Sequence, residues 1–502
     1  MAKPGVFTVL VNDAKIDQLF TASALLRTKI TEITNARKRC GLTNTKPTIA
    51  DIEKTHFLYV HGHYKPHIVM GSEYIKVKPL GNDHLSTTSS LKLDFEIPTY
   101  SHFFTDIVFH VRLDEVKAGK GELMCYTSYP GIRLFEEVAF SSGFGAIDSY
   151  NYHDVLFKDK FEVNDNMRVA WDKIHGQQTL QTAEAWNRNE FTNVAYYKSG
   201  LQTPKKVHEA TDLWVPAHFW FCKDPKQALL NDMSVTESTK KVSVTLSNIS
   251  KVLATVDEAT GDFTPYSESN MQIMVEMYVG CMFVSPDVYD IMLSRISYSL
   301  IRVHKSITKM VNGSKGKIFL SQLRFPCEYL YVGVKDTQRG EVAFRNWHLY
   351  GTPGTYDVGK ELTFPVIEYN KGQVAHEIVV KNFENFDSLR PMIKSVGLTS
   401  DGIDLFKMTP ASFYNSYLPI RNINHHSHIA PKDESVWLIP FCLFPGEYNP
   451  SGYFNLSRIK DTALYYERIN TRSKDDMIVM ISSSVLNFLI RDGAQIKLRY
   501  NI

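Results

Sequence analysis

Closely spaced histidines are the residues of this sequence with the clearest capacity for chemistry. His61 and His63 share one face of any strand that contains both, because side chains alternate along a strand. Neutral imidazoles at that spacing can bind transition metals. A cupin-type site would add a glutamate four or five residues after the second histidine, but those positions hold His67 and Ile68, and the first acid is Glu73. We therefore expect no metal site here.

A second histidine cluster, His425-His426-Ser427-His428, follows the strand-like segment SYLPI. No acidic or cysteine ligand lies beside it before Asp433, so we interpret it as exposed histidines in a polar loop. Residues 313–317 lack the spacing and the hydroxyl side chain of a phosphate-binding loop. A Gly-x-Ser-x-Gly elbow, a His-Glu-x-x-His motif and a Cys-x-x-Cys pair are also missing from the sequence. We therefore expect neither an enzyme nor a cofactor.

The charge balance argues against a nucleic-acid-binding protein. Lysine and arginine number 56 and aspartate and glutamate 54, whereas a surface that binds phosphates needs a clear positive excess. The basic triplet Arg37-Lys38-Arg39 is typical of a solvated helix end. The six cysteines show no paired spacing, which indicates reduced thiols in a cytosolic setting. The N-terminus has no secretory-signal pattern, and no window approaches ~18 uninterrupted apolar residues.

Hydrophobic periodicity predicts one helix followed by many strands. From Asp13 to Arg39, apolar residues recur every three or four positions, which predicts an amphipathic helix with Asn12 or Asp13 as N-cap and Gly41 beyond its end. In residues 271–283, apolar side chains recur at every second position instead. That alternation predicts a long, half-buried strand.

Two continuous apolar runs, LWVPAHFWF (213–221) and SVWLIPFCLF (435–444), predict strands that are covered on both faces. Each contains a tryptophan near its start and leads into a polar loop that contains proline. Their separation of about half the chain favours a duplicated domain. Together with many shorter strand patterns and long polar loops, they predict all-β sandwiches.

The segment FPGEYNPSGYFNLSR, from Phe444 to Arg458, directly follows the second run. Its prolines fix φ and lack an N–H donor, so the chain must leave the sheet after Phe444. Its glycine permits a backbone angle that other residues resist, and its polar side chains can bond loop carbonyls and carboxylates. We predict a structural lock between loop and strand, with the candidate residues Pro450, Ser451, Gly452, Asn455, Ser457 and Arg458.

This loop, after a buried aromatic strand, resembles a motif near the end of the second jelly roll in the major capsid proteins of large nucleocytoplasmic DNA viruses. The similarity is strongest to the asfarvirus-like branch, which includes African swine fever virus, and it extends along nearly the whole chain. The segments that carry it are Pro47–Pro79, Lys92–His110, Tyr129–Phe140, 213–221, Ser299–Lys305, Pro326–Lys335, Arg345–Gly351 and Ser482–Tyr500.

The resemblance implies an all-β double jelly roll: two eight-stranded antiparallel sandwiches with a short N-terminal helical arm. We expect the arm in residues 1–55, the first jelly roll in 56–260 and the second in 261–502. It further implies a non-enzymatic major capsid protein. Three copies would form a pseudo-hexagonal capsomer, and many capsomers would tile the icosahedral outer shell of a large double-stranded DNA virus.

The partners implied by the resemblance are two further copies of the chain, neighbouring capsomers, minor capsid and penton proteins, and an assembly chaperone. No direct contact with nucleic acid is expected. Contact with an inner membrane would be indirect at most, or made by the arm. The arm helix either docks beneath the capsomer or packs against its own sandwich. The expected location is the virion capsid, with assembly in the host cytoplasm.

One departure from the relatives concerns length. The chain is shorter than its asfarvirus-like relatives. The missing residues fall mainly after the segment 110–131 and between Tyr152 and Leu213, so we expect the outward-facing tower of the capsomer to be lower. The alternative function is a glycan-binding jelly-roll attachment protein of a virion. Exposed Tyr448 and Tyr453 could stack on sugars, but packing of both rings in a core or an interface is the interpretation we favour.

Overall fold

The structure is a computed structural model. It describes residues 22–42, 70–80, 84–86, 90–143, 145–177, 180–187, 190–197, 201–231, 239–258, 263–266, 270–284, 286–293, 297–336, 344, 347–356, 362–368, 373–380, 383–421, 428–458, 461–469, 477–492 and 495–499. The histidines at 61, 63, 67, 425 and 426 lie outside these residues.

Sixteen strands of the described residues form two sets of two sheets. The first set comprises β1 (Met70–Val77), β2 (Leu91–Glu96), β3 (Phe103–Leu113), β4 (Phe135–Ser142), β5 (Gly145–Asn151), β6 (Thr211–Pro216), β7 (Lys241–Leu246) and β8 (Asn270–Val284). The second set comprises β9 (Ser297–Val311), β10 (Lys315–Phe319), β11 (Pro326–Asp336), β12 (Ile393–Ser400), β13 (Ile403–Pro410), β14 (Val436–Pro440), β15 (Thr462–Arg468) and β16 (Met477–Asp492).

The order of the strands is the same in both sets. The first set has sheets β1-β8-β3-β6 and β2-β7-β4-β5, and the second has β9-β16-β11-β14 and β10-β15-β12-β13. All of these pairs are antiparallel. Each strand of the second set therefore occupies the position of the strand eight places earlier. This is the connectivity of two eight-stranded jelly rolls, and it confirms the predicted fold class.

The sheet pairing favours a boundary between the two jelly rolls that lies later in the chain than the boundary expected from the sequence. The whole length of β1 pairs with the second half of β8, from Met70 opposite Val284 to Val77 opposite Met277. The strand β8 therefore belongs with the N-terminal strands, whereas the boundary expected at 260/261 would assign it to the second unit. We now propose a boundary after Val284. The boundary expected from the sequence lies earlier than this proposal, because the last strand of a jelly roll pairs with its first across a long connection.

The predicted alternation in 271–283 holds in the described part of β8. One face is almost completely buried, with at most 2% exposure at Ile273, Val275, Met277, Val279, Cys281 and Phe283. On the opposite face Met274 is exposed, but Glu276 is buried because its carboxylate pairs with Lys76 at 2.7 Å. The ion pair explains the exception to the pattern.

The two apolar runs that resemble each other form equivalent strands, β6 and β14. The prediction that both are covered on two faces holds only for β14, in which Trp437 is buried; the rest of the run 435–444 lies beyond the end of this strand at Pro440, and Leu443 is 61% exposed. In 213–221 the prediction was wrong, since Trp214 is 40% exposed, the strand ends at Pro216 and a helical turn begins at Trp220.

The helices are short apart from the first. They are α1 (Ala22–Arg39), α2 (Pro130–Leu134), α3 (Tyr152–Phe161), α4 (Asp165–Ile174), α5 (Trp220–Lys223), α6 (Pro286–Leu293) and α7 (Leu418–Arg421), with a π-helical turn at Phe413–Tyr417 and 3-10 turns at Pro225–Gln227, Ile249–Lys251 and Leu456–Arg458. The predicted arm helix corresponds to α1. Its proposed caps Asn12 and Asp13 lie outside the described residues, and Gly41 takes φ +68° beyond its end.

Fifteen further strands lie outside the sixteen strands of the two sandwiches in the described residues. They are His84–Ser86, Val116–Lys117, Glu122–Tyr126, Leu180–Asn187, Glu190–Tyr197, Val207–His208, Leu229–Leu230, Leu253–Asp257, Phe263–Pro265, Thr352–Tyr356, Leu362–Glu368, Gln373–Val380, Phe383–Arg390, Phe454–Asn455 and Gln495–Leu498. In the described ranges, no helix combines the length and the apolar character needed to cross a membrane.

One hydrophobic core continues from the first jelly roll into the second. It joins Phe140 and Val242 of the first unit to Ile301, Tyr331 and Val485 of the second. A separate core lies inside the second unit, around Trp437. The apolar core is therefore continuous across the region where the two sandwiches meet.

Candidate functional site: the junction between the two sandwiches

The helix α3 occupies the centre of the junction. It begins after the last strand of a hairpin because Asn151 acts as an N-cap: its side chain accepts hydrogen bonds from the N–H groups of His153 and Asp154, and the Asp154 carboxylate accepts the N–H of Asn151. Six of its ten residues are buried, which is typical of a helix surrounded by protein.

Stacked aromatic rings connect α3 to the second sandwich. Phe161 lies 4.9 Å from Tyr331, with the ring planes 14° apart, and Phe157 stacks on Tyr331 at 5.7 Å and on Tyr350 at 5.4 Å. Such pairs add about 0.5–1.5 kcal/mol each beyond the area that they bury. Gly333 of β11 permits this packing, because a Cβ atom there would lie 2.5 Å from the Tyr350 ring and 2.9 Å from Phe157.

A buried carboxylate, Asp433, ties α3 to the loops of the second unit. Its oxygens accept the backbone N–H groups of Tyr350 and Gly351, each at 2.8 Å, and lie 3.2 Å from Nζ of Lys160 on α3. The carboxylate side chain is 2% exposed and that of the lysine 9%. Removing one partner of such a pair leaves an uncompensated buried charge.

Lys335, at the end of β11, lies beside this pair. Its ammonium group donates to the carbonyl of Trp347 and faces the Tyr350 ring. Burial lowers the pKa of Lys335 to about 7, and the positive charges of Arg133 and Lys160 contribute in the same direction. The junction therefore contains a lysine whose charge is only marginally stable near neutral pH.

The strands β5 and β9 meet through polar contacts. The N–H of His304 donates to Asp148 at 2.7 Å, and Nδ1 of the same histidine lies 3.0 Å from the other carboxylate oxygen. Beside them, the amide of Asn151 donates to Ser306 at 3.0 Å. These bonds fix the position of one sandwich along the other.

A third group of polar residues surrounds Glu162 at the end of α3. Nζ of Lys223 lies 3.2 Å from its carboxylate, and the hydroxyl of Tyr331 donates to it at 3.2 Å. Burial raises the pKa of Glu162, but the positive charges of Lys223 and Lys158 outweigh burial and lower it to about 2. The carboxylate therefore stays ionised and paired.

His428 is a member of this group, which makes the interpretation of its cluster as exposed histidines wrong at this position. The ring is 2% exposed, and its Nε2 lies 2.6 Å from the hydroxyl of Tyr331. Burial lowers the pKa of His428 to about 4, so the imidazole is neutral at physiological pH. Local sequence polarity gave no sign of this long-range contact.

The predicted lock residues form a compact loop beside the junction. The hydroxyl of Ser451 accepts the N–H of Phe444 at 2.7 Å, and Gly452 takes φ +137°. The side chain of Asn455 accepts the N–H of Ser457 at 3.1 Å and its hydroxyl at 2.6 Å, which closes the 3-10 turn that follows. Pro450 precedes these residues and Arg458 ends the turn.

Sequence reasoning missed the residue that anchors this loop from outside. Arg302 of β9 forms a bidentate pair with the fully buried Glu328, at 2.6 and 3.2 Å, and donates to the carbonyl of Glu447 at 2.5 Å. A bidentate guanidinium is well suited to holding a carboxylate and a carbonyl together. Nothing in the local sequence links Arg302 to either partner, since Glu328 lies 26 residues away and Glu447 145 residues away.

A cleft of about 570 Å³ opens where the two sandwiches and this loop meet. Arg302, Glu162 and Lys223 line it, each paired as described above. Tyr448 lies at its rim, 51% exposed, and Tyr453 is 58% exposed, so neither ring packs in the core of its own chain. The described residues contain no group of three or more side chains suited to hold a metal ion.

Comparison with known proteins shows full-length similarity to one group of viral proteins. No protein-family model matches the sequence. The hexon protein p72 of African swine fever virus is 24% identical, with all of both chains aligned, and so is a sequence named major capsid protein from another isolate of that virus. The alignments span 656 and 659 positions against 502 residues here, so the relatives contain segments that this chain lacks.

Solved structures agree with the fold. The major capsid protein of Faustovirus superposes with a TM-score of 0.72 at 24% identity, over 96% of this chain and 100% of that chain. The VP54 protein of PBCV-1, fitted into a reconstruction of the virophage Sputnik, gives 0.61 at 16% identity, over 88% and 98%. A PBCV-1 capsid structure gives 0.60 at 17%, with the same coverage.

The Asp433 carboxylate provides a test of the junction. We expect Asp433→Ala to destabilise the protein by about 3–5 kcal/mol, because three backbone donors, of Tyr350, Gly351 and Ser435, and the Lys160 ammonium lose their shared partner. Thermal unfolding followed by calorimetry measures the change. Glu209→Ala, which removes an exposed acid, is the matched control. Equal unfolding temperatures for the two variants would contradict the role assigned to Asp433.

The lowered pKa of Lys335 predicts that the stability of the folded protein depends on pH. The folded pKa of this lysine, about 7, lies below the ordinary value of 10.5, so between these values the unfolded chain binds more protons and stability rises with pH. We expect Lys335→Met to raise the unfolding temperature at pH 7 and to remove most of the rise between pH 7 and 9. The exposed Lys120→Met should keep the wild-type slope. An unchanged slope in Lys335→Met would show that the fold does not lower the pKa of Lys335.

Proposed function

We infer that the chain is a major capsid protein of the double jelly-roll type of large double-stranded DNA viruses. The observation that carries this inference is the alignment of both chains over their full length with the capsid protein of African swine fever virus. The double jelly roll with equivalent strand orders supports it independently. Its role is therefore structural rather than catalytic.

The physical properties of the chain suit a repeating shell. The two sandwiches are joined by a continuous core and by buried ion pairs, so that each copy presents the same surfaces in the same relative positions. The net charge of +2 on 502 residues keeps repulsion small when many identical copies pack edge to edge.

The assembly is a homotrimeric, pseudo-hexagonal capsomer in this proposal. Three copies of two jelly rolls each supply six similar units around a closed ring. Capsomers then contact one another and contact minor capsid and penton proteins, and a dedicated chaperone assists folding. The capsid of the virion is the final location, and the host cytoplasm is the site of assembly. These partners rest on the resemblance to viral relatives.

The native mass of the purified protein tests whether three copies associate. Three chains of 57.4 kDa give about 172 kDa, and we expect this mass when the chain is purified after co-expression with an asfarvirus-type capsid chaperone. Native mass spectrometry or light scattering makes the measurement, and the chain expressed alone is the control. A folded monomer in both preparations would contradict the capsomer.

The loop of residues 444–458 acts in this proposal as a lock between a loop and the next strand. The internal bonds of Ser451 and Asn455 support that role. Arg458→Ala should lower the yield of soluble trimer, with Lys120→Ala as an exposed basic control. Normal trimer yield and unfolding temperature would count against a role for Arg458, and the lock would then depend on Arg302.

Exposure of Tyr448 and Tyr453 keeps the glycan-binding attachment protein as a second candidate. Both rings lie outside the core of their own chain, and one borders the cleft, where a sugar could stack. A glycan array probed with the isolated chain tests this function. Specific glycan binding that is lost in Tyr448→Ala would favour the attachment function, whereas an array without specific binding would favour the structural role.

A further inference from the structure

A separate cluster of charged side chains fastens the helix α4 to the helix α3. The guanidinium of Arg168 on α4 donates to the carboxylate of Asp159 on α3 at 2.5 Å, and to the backbone carbonyls of Asp159 and Val163 at 3.0 and 3.4 Å. The carboxylate of Asp172 lies 3.9 Å from the same guanidinium and accepts the hydroxyl of Tyr129 at 3.0 Å. Two carboxylates therefore share one guanidinium.

Both carboxylates are removed from water. Asp159 is 5% exposed and Asp172 7%. When both acids are ionised and Arg168 is positive, the cluster carries one uncompensated negative charge in a buried position, which is unfavourable. A proton bound by one of the two carboxyl groups makes the cluster neutral.

The helix α4 has few other attachments along its length. Among its ten residues Asp172 is the fully buried one, and Trp171 is half-buried against the core. Met167 and Val169 are 54% and 61% exposed. A helix of ten residues is only marginally stable in water without packing. The charged cluster therefore has a large share in keeping α4 folded and docked.

Backbone contacts fix the C-terminal end of α4 beside Tyr129. The N–H of Gly131 donates to the carbonyl of His175 at 3.0 Å, and the N–H of Tyr129 donates to the side chain of Gln177 at 2.9 Å. Tyr129 takes φ +46°, a conformation that residues other than glycine rarely adopt. Because this end is fixed, opening of α4 concerns the preceding turns, which carry Arg168 and Asp172.

The proton affinity of Asp172 changes when α4 docks. Burial raises the pKa of Asp172 to about 6, against the hydrogen bond from Tyr129 and the charge of Arg168, and the charge of Asp159 acts in the same direction as burial. In an open helix the carboxyl is solvated, and its pKa returns to the ordinary value of 3.8. Between these values the docked form binds more protons, so docking strengthens as pH falls through about 6.

We propose that the pair Asp159 and Asp172 makes the docking of α4 pH-sensitive. The helix is held firmly when the pair binds one proton, and it opens more often when both acids are ionised. This device goes beyond the structural role proposed above and does not depend on it.

Other titratable groups near the cluster can be separated from Asp172. Burial lowers the pKa of His175 to about 4, so this ring is neutral between pH 5.0 and 7.5. Burial raises the pKa of Tyr129 well above its usual range, so its hydroxyl keeps its proton. Lys335 acts with the opposite sign, because burial disfavours its positive charge and stability falls as it gains a proton. The ring of His348 lies 5.2 Å from that of Tyr129 and needs a direct control.

Hydrogen exchange followed by mass spectrometry tests the device on the full-length protein. Protection of the amides in residues 165–174 is compared at pH 5.0 and 7.5, after correction for the intrinsic exchange rate at each pH. We expect about tenfold higher protection at pH 5.0, which is the ratio that follows from pKa values of about 6 and 3.8. Peptides from the buried strand β8 are the internal reference, and their protection should not rise as pH falls.

Three variants assign the response to Asp172. Asp172→Asn keeps the size and an acceptor oxygen of the side chain but carries no charge, so we expect the same high protection at both pH values. Asp165→Asn removes an exposed acid from the same helix and should keep the tenfold response. His348→Gln should keep it as well.

The wild-type measurement alone can overturn the proposal, since it requires no variant to fold. Equal corrected protection of α4 at pH 5.0 and 7.5 would do so. A response that persists in Asp172→Asn, or that disappears in His348→Gln, would assign the titration to another group and would also overturn it. A tenfold response that is lost only in Asp172→Asn supports pH-sensitive docking.

Discussion

The packing of α3 between the two jelly rolls is the interaction on which the rest of the structure depends. Each sandwich could form its own sheets, but their relative position is set where Phe157 and Phe161 stack on rings of the second unit. Gly333 makes room for those rings. Close ring contacts of this kind favour one relative orientation of the two sandwiches over a range of orientations. A shell subunit needs that property, since small angular errors accumulate across a lattice.

Buried polar pairs complement the aromatic packing. A buried ion pair adds little net stability compared with apolar side chains of similar size, but an incorrect arrangement leaves a charge unpaired and is strongly unfavourable. Asp433 with Lys160 and Glu328 with Arg302 therefore select one docking geometry. Lys335 lies beside the first of these pairs, and burial disfavours its positive charge.

The sequence predicted the features that depend on local pattern. Alternation in 271–283 predicted β8, the paired runs around Trp214 and Trp437 predicted a duplication, and the strand orders agree with both. It failed where distant residues decide the outcome. His428 was interpreted as exposed because its partner Tyr331 is remote in sequence. The boundary that we propose after β8 lies later than the expected one for a similar reason, since the partner strand β1 is also remote in sequence. The Arg302–Glu328 pair was not predicted either, because its two residues are 26 positions apart in the sequence.

Electron cryo-microscopy of the purified, chaperone-assisted protein tests the central claim most directly, namely that a rigid pair of jelly rolls is the repeating unit of a closed capsomer. The predicted result is a particle with a hexagonal outline and six sandwich-shaped densities, in which the two lobes of each chain have one fixed angle. Two-lobed single chains, or lobes that take variable angles to each other, would contradict it.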